Sequence, residues 1–194
     1  TLPKGRRQKT TSIYDRLLKK GAVMGDSFGL ENALWFAKNE KDAHEEPTFK
    51  RSRSHNYIAD EIKAVRTAVG ATEIANFAKH EFTGPGARNF LDYILAGNIP
   101  KPGRIVLTPM LTPKGKLYGD LTVACLNENK FMLFGSGAAQ EMHRRWFEKF
   151  LPKKGVIYKN KSDDFHGIAI SGPNSRKLLS KICRDDVSNE ALKF

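Results

Sequence analysis

The sequence contains few cysteines, few histidines and no long apolar run. Its two cysteines, Cys125 and Cys183, lie in apolar surroundings, so we expect no disulfide framework and a reducing compartment. The five histidines are scattered, and none has the spacing of a zinc ligand. No run of about 18 apolar residues is present, and the polar, basic stretch Thr1 to Thr10 does not resemble a signal peptide. We therefore predict no metal site, no membrane span, and a cytoplasmic location or, in a eukaryote, the mitochondrial matrix.

Basic residues outnumber acidic ones by 33 to 21, which gives a formal net charge of +12 over 194 residues. They cluster near Lys4 to Lys9, Lys50 to Arg53 and Arg144 to Lys154. Such a charge is compatible with nucleic acid or another polyanionic ligand, although a solvated lysine-rich surface is the favoured interpretation. The first two runs contain no aromatic residue, and Trp146, Phe147 and Phe150 of the third fall on the predicted inward face of a helix. Nucleic acid is therefore not the expected partner, because these aromatic residues are not placed to stack on bases.

The spacing of apolar residues predicts hairpins mixed with single helices, which is typical of an antiparallel α+β fold. The first 50 residues do not have the pattern of a compact domain, apart from a short helix that Gly21 would end. The remaining elements follow in order, and their predicted ranges are helix 59–69, strand 77–83, a helix after Gly86, a hairpin over 104–126, strand 130–134, a helix after Gly137, strands 156–159 and 167–171, and helix 173–182.

The hairpin Arg104 to Leu126 contains the most informative carboxylate. Its arms are rich in branched and apolar residues, and a turn at Pro113 to Lys116 joins them. Strict alternation would place Leu117, Leu121, Val123 and Cys125 on one face of the second arm, and Tyr118, Asp120, Thr122 and Ala124 on the other. That second face is either open to solvent, which is the common case, or the wall of a cavity.

One short pattern occurs twice. Phe82-Thr83-Gly84-Pro85 and Ile170-Ser171-Gly172-Pro173 each join a predicted strand to an amphipathic helix. An ancient duplication explains this pattern, and so does the ordinary use of Gly-Pro in turns.

The hairpin resembles the strand–turn–strand signature of the glycine cleavage T-protein family. The similarity rests on Thr108 to Leu111 and on Gly115 to Val123, where a glycine-containing turn leads into an acidic residue followed by leucine. The resemblance implies that Asp120 faces bound tetrahydrofolate and is catalytic, and that Leu121 and Thr122 line the same pocket. T-proteins commonly have an asparagine at the place of Gly135, so the chain departs from them there.

The first part of the chain is similar to the linker of dimethylglycine and sarcosine dehydrogenases. The matching positions include Tyr14 to Leu17, Gly21 to Val23, Phe28-Gly29 and Trp35 to Ala37. The resemblance implies that residues 1–50 are a linker at the end of a flavin-oxidoreductase region. It also implies that residues 51–194 are the N-terminal part of a T-protein-like folate-binding domain, and that the chain is a fragment.

The resemblance further implies an enzyme that needs FAD, held in a domain outside this chain, and tetrahydrofolate. A methylamine substrate would be oxidised, and its one-carbon unit would pass to tetrahydrofolate as 5,10-methylene-tetrahydrofolate. The isolated fragment would be inactive. Two alternatives remain: a flavin-free aminomethyltransferase or folate-dependent demethylase, and a non-enzymatic folate-fold protein of tRNA modification or iron–sulfur maintenance.

Overall fold

A computed structural model describes residues 3–192. In chain order, its helices and strands are α1 (Tyr14–Lys19), β1 (Ala22–Ser27), β2 (Leu30–Phe36), α2 (Ser54–Thr67), β3 (Gly70–Glu73), β4 (Phe77–Thr83), α3 (Ala87–Ile94), β5 (Ile105–Leu111), β6 (Leu117–Asn127), β7 (Lys130–Ser136), α4 (Gln140–Phe150), β8 (Ile157–Asn160), β9 (Ile168–Ser171) and α5 (Ser175–Leu179). All pairs between these strands are antiparallel, which confirms the predicted α+β class.

The chain forms two compact units. Unit 2 comprises Ala75–His166, and unit 1 comprises the residues up to Ile74 and those from Gly167 onward. The predicted division between a linker and a folate domain after residue 50 stays a prediction.

Unit 1 contains two small sheets, one of β1 and β2 and one of β3 and β9. The sequence from Gly21 to Lys38 has no clear period, yet it forms the β1–β2 hairpin. Its turn uses Phe28 and Gly29, both at positive φ (53° and 86°), a conformation that suits a tight hairpin turn. A register shift between Val23 and Met24 breaks the side-chain alternation, which explains why no strand pattern is visible in the sequence.

A buried ion pair holds the N-terminal segment against this hairpin. Arg6 Nε donates to Glu31 Oε1 at 3.0 Å, and the Glu31 side chain is 2% exposed. The hydrogen bond from Arg6 lowers the pKa of Glu31 below its ordinary value. The segment that the sequence identifies as a linker is therefore packed, with Val23, Trp35 and Ala37 at its core.

Unit 2 is a five-stranded sheet in the order β5-β6-β7-β4-β8. One face is covered by α3 and α4 and forms the main apolar core, which includes Phe82, Leu91, Leu121, Phe131 and Phe147, all fully buried. These side chains come from alternate strand positions and from one face of each helix, as a two-layer core requires. The strand predicted over 77–83 and the hairpin predicted over 104–126 are both present, whereas α5 is shorter than the predicted helix 173–182.

The two Gly-Pro turns have the same backbone geometry. Gly84 and Gly172 have φ values of 118° and 121°, and a Cβ there would lie 2.4 Å from the Gly155 carbonyl oxygen and 2.6 Å from that of Ala68, respectively. In each copy the glycine approaches the backbone that precedes the partner strand. Both turns therefore depend on glycine for the same reason, whichever origin of the repeat is correct.

Candidate functional site

Asp120 lies in the middle of β6, on the sheet face opposite α3 and α4. Its side chain is exposed, that of Thr122 on the same face is half-buried, and Leu121 between them is fully buried in the core. Asp120 and Thr122 therefore share a surface. A folate contact at Leu121, which stays a prediction, would have to use the backbone, because its side chain points into the core.

The neighbours of Asp120 on this face are mainly apolar. The register places Pro109 of β5 opposite Asp120, and Leu107 opposite Thr122. The Leu107 side chain is 70% exposed, and Ile105 on the same strand is 65% exposed. The result is an apolar strip along β5 with one carboxylate beside it, a combination that could hold a flat organic ligand carrying a positive or hydrogen-bonding group.

Tyr118 does not share this face, contrary to the alternation predicted from the sequence. The register shifts in the β5–β6 ladder, so that Met110 pairs with Gly119 and Leu111 pairs with Leu117. Tyr118 is thus an extra residue in β6, and such a bulge turns a side chain to the other face. Its ring packs on Trp146 of α4 with the ring centroids 4.4 Å apart. Leu117, predicted to share the face of Leu121, is 66% exposed for the same reason.

Thr108 and Met110 precede the turn of this hairpin on β5. Thr108 is 1% exposed and Met110 is fully buried, and both lie on the core face of β5. Neither side chain reaches the surface that carries Asp120.

Two buried histidines lie on the core side of the sheet. His80 of β4 and His143 of α4 are 0% and 2% exposed, and their ring centroids are 6.1 Å apart. His80 Nδ1 and the Tyr158 hydroxyl form a hydrogen bond of 2.9 Å. Burial, helped by the neighbouring His143, lowers the pKa of His80 to about 4, so its imidazole is neutral at pH 7.

His143 has an electrostatic connection to Asp120. Burial lowers the pKa of His143, and the charge of Asp120 opposes that shift. The sequence analysis missed both histidines, because a single histidine within a strand or helix has no local signature. The available signal was the pair of glycines within strands, Gly119 and Gly135, since such glycines often mark the close approach of another group.

The structure contains a cavity that Asp120 does not line. It has a volume of about 530 Å³ and lies in unit 1, where Tyr14, Val23 and Leu34 contribute to its wall.

Within residues 3–192, no three His, Cys, Asp or Glu side chains are placed to bind a metal ion together. Over the same residues, no helix combines the length and the apolar character needed to cross a membrane.

Comparison with curated proteins finds relatives that include dehydrogenases and aminomethyltransferases. The chain is 34% identical over 190 residues to mitochondrial dimethylglycine dehydrogenase of Homo sapiens, which covers 96% of this chain and 22% of that protein. It is 29% identical over 181 residues to the aminomethyltransferase of Thermosipho melanesiensis, which covers 92% of this chain and 45% of that protein. The chain thus spans about a fifth of the length of the dehydrogenase.

The fold is similar to that of a solved structure. The glycine cleavage system aminomethyltransferase T from Bartonella henselae matches with a TM-score of 0.70 and 20% identity, over 89% of this chain and 43% of that one. A family model described as the GCVT N-terminal domain matches residues 13–194. These matches confirm the resemblance on which the sequence analysis relied, and the chain belongs to the GCVT N-terminal domain family.

Proposed function

We propose that this chain is the tetrahydrofolate-binding part of a flavin-dependent dehydrogenase that acts on dimethylglycine or sarcosine. The observation that carries the proposal is the similarity to dimethylglycine dehydrogenase over 96% of the chain, together with membership of the GCVT N-terminal domain family. FAD would be held outside this chain. The compartment, cytoplasm or mitochondrial matrix, stays a prediction.

The proposed reaction moves one carbon from an amine to tetrahydrofolate. Flavin chemistry elsewhere in the protein would convert the N-methyl group to an iminium carbon, and tetrahydrofolate would take up that carbon as 5,10-methylene-tetrahydrofolate, releasing the demethylated amine and a proton. A group that accepts this proton is therefore needed close to the attacking nitrogen.

Asp120 has the properties that this role requires. Its carboxylate is exposed on the sheet face that carries Thr122, so it can reach a ligand lying on that face. The exposed Leu107 and the neighbouring Pro109 offer apolar contacts to a flat ring system. Asp120 would accept the proton of the attacking nitrogen and stabilise the developing positive charge, a contribution typically worth about 10²–10⁴-fold in rate.

The test compares Asp120→Asn with Asp92→Asn in the full-length protein. Asp92 is an exposed carboxylate on α3, so its loss controls for a change of one surface charge. Flavin reduction by dimethylglycine or sarcosine is followed by absorbance, and methylene-tetrahydrofolate is quantified in the same samples. We expect Asp120→Asn to lower the folate product about 100-fold or more while flavin reduction is unchanged. Equal loss of both steps would assign Asp120 a structural role.

A flavin-free aminomethyltransferase is the second candidate, because the Thermosipho melanesiensis enzyme matches 92% of the chain. The visible absorption spectrum of the full-length protein separates the two proposals. A flavin band that bleaches on addition of dimethylglycine or sarcosine supports the dehydrogenase. A colourless protein that still binds tetrahydrofolate supports the aminomethyltransferase.

A further inference from the structure

The His143 side chain fills a space left by two glycines on neighbouring strands. A Cβ built on Gly119 of β6 would lie 2.6 Å from His143 Nε2, and one built on Gly135 of β7 would lie 3.2 Å from His143 Nδ1. Any side chain at Gly119 would therefore collide with the ring. The imidazole is in close contact with the backbone of the residue that immediately precedes Asp120.

An imidazole is an unusual side chain for this buried space, because it is polar. Neither ring nitrogen of His143 has a hydrogen-bond partner within residues 3–192, although the side chain is 2% exposed. A leucine or phenylalanine would fill an apolar slot without leaving a buried polar group unpaired. The buried imidazole is polar and interacts electrostatically with Asp120, so it contributes a charge distribution as well as volume.

Helix α4 contacts the β6 backbone next to Asp120. The bulge at Tyr118 interrupts the β5–β6 ladder two residues before Asp120, so the ladder alone fixes this segment less firmly. Helix α4 contacts the segment at two successive points, with Trp146 on Tyr118 and His143 on Gly119. The two helix residues are three positions apart and so lie on one side of α4.

We infer that His143 is a positioning residue for Asp120: its ring holds the β6 backbone at Gly119, and its neutral imidazole lies within the electrostatic reach of the Asp120 carboxylate. The inference rests on the function proposed above, and it adds a residue from α4 to the site. His143 lies on the core side of the sheet and acts on the ligand only through Asp120.

Several charged or titratable groups lie around His143, and those that act on it set its pKa. Asp120 on β6 raises the pKa of His143, whereas burial lowers it. His80 on β4 has a neighbouring ring and is hydrogen-bonded to Tyr158 on β8. Glu141, on the same helix as His143, acts on His80. Removal of the Asp120 charge should therefore shift the pKa of His143 downward.

The first experiment is an NMR titration of the His143 ring in the full chain. Wild type, Asp120→Asn and Asp92→Asn are compared, because Asp92 is not among the charges that act on His143. We expect a lower pKa for His143 in Asp120→Asn and no change in Asp92→Asn. A His143 pKa that is the same in all three proteins would overturn the inference, and this result does not depend on folate binding.

The second experiment measures folate-dependent transfer in the full-length protein with His143→Phe and His143→Gln. Phenylalanine keeps the ring volume without its polarity, and glutamine keeps a polar group in a different shape. We expect both to form the folate product about 10- to 100-fold more slowly with unchanged flavin reduction, as a small displacement of a catalytic group would cause. Wild-type transfer rates in a folded His143→Phe variant would overturn the inference. If wild type itself neither binds tetrahydrofolate nor forms the product, the proposed function fails, whereas the titration still decides the coupling.

Discussion

Acidification should destabilise unit 2 through His80. The pKa of His80 is lowered by burial to about 4, whereas a histidine in an unfolded chain titrates near 6.5. Below pH 6.5 the unfolded state therefore binds more protons than the folded state at this residue, so stability falls as the pH falls and levels off near pH 4. The difference between these two pKa values corresponds to a total loss of roughly 3 kcal/mol in the free energy of unfolding. About 2 kcal/mol of this is lost by pH 5.

Urea unfolding at pH 7.5 and pH 5 measures this loss. Each unit contains one tryptophan, so a Trp35→Phe background leaves Trp146 as the fluorescent reporter of unit 2. The pH dependence is compared between this background, the same chain with His80→Phe, and a control with His55→Gln, which removes an exposed histidine of α2. The comparison between variants is needed because carboxylates whose pKa is lower in the folded state also make the protein less stable in acid. Only the difference between variants isolates the contribution of His80.

We expect the loss between pH 7.5 and pH 5 to be about 2 kcal/mol smaller in His80→Phe than in the background, and unchanged in His55→Gln. The phenylalanine keeps a ring against Phe147, which lies 5.0 Å from His80 between centroids, so the variant should remain folded. An equally steep loss in all three chains would show that His80 is not held neutral by burial, and the reasoning would fail.

Three further predictions concern packing and charge. Leu121→Ala should lower the free energy of unfolding by about 2–5 kcal/mol and Leu107→Ala by less than about 0.5 kcal/mol, as measured in urea, because the first side chain is fully buried and the second is 70% exposed. Gly119→Ala should cost about 1–3 kcal/mol, since its Cβ would lie 2.6 Å from a buried imidazole nitrogen, and a melting temperature equal to wild type would contradict this contact. Glu31→Gln should cost about 1–3 kcal/mol by removing the ion pair with Arg6, and it should flatten the acid-induced loss of stability because the lowered pKa of Glu31 is no longer present.

Local signals explain which parts of the fold could be predicted. The β5–β6 hairpin has a turn with Pro113 and Gly115 between two branched, apolar arms, and the alternation of Leu121 and Val123 places both in the core as expected. The β1–β2 hairpin was missed because its turn contains Phe28 in a left-handed conformation and its register shifts at Val23. Neither feature leaves a period in the sequence.

At the candidate site, too, local patterns predicted some features and missed others. The resemblance singled out Asp120, and alternation correctly separated its face from that of Leu121. Tyr118 was assigned to the wrong face, because a single extra residue in a strand reverses every side chain on one side of it. The exposure of this face could not be decided from polarity alone, since a solvated strand and a pocket wall have the same pattern.

The sequence by itself determined the family, through its resemblance to known members. It also determined the strand that carries Asp120 and the separation of its face from that of Leu121, because strand alternation and turn chemistry are properties of neighbouring residues. The tertiary structure alone decided that Pro109 lies opposite Asp120 and that α4 places His143 against Gly119. These contacts join residues that are distant in the chain. They arise from the register of a ladder and the packing of a helix on a sheet, which depend on the whole core and which no local pattern encodes.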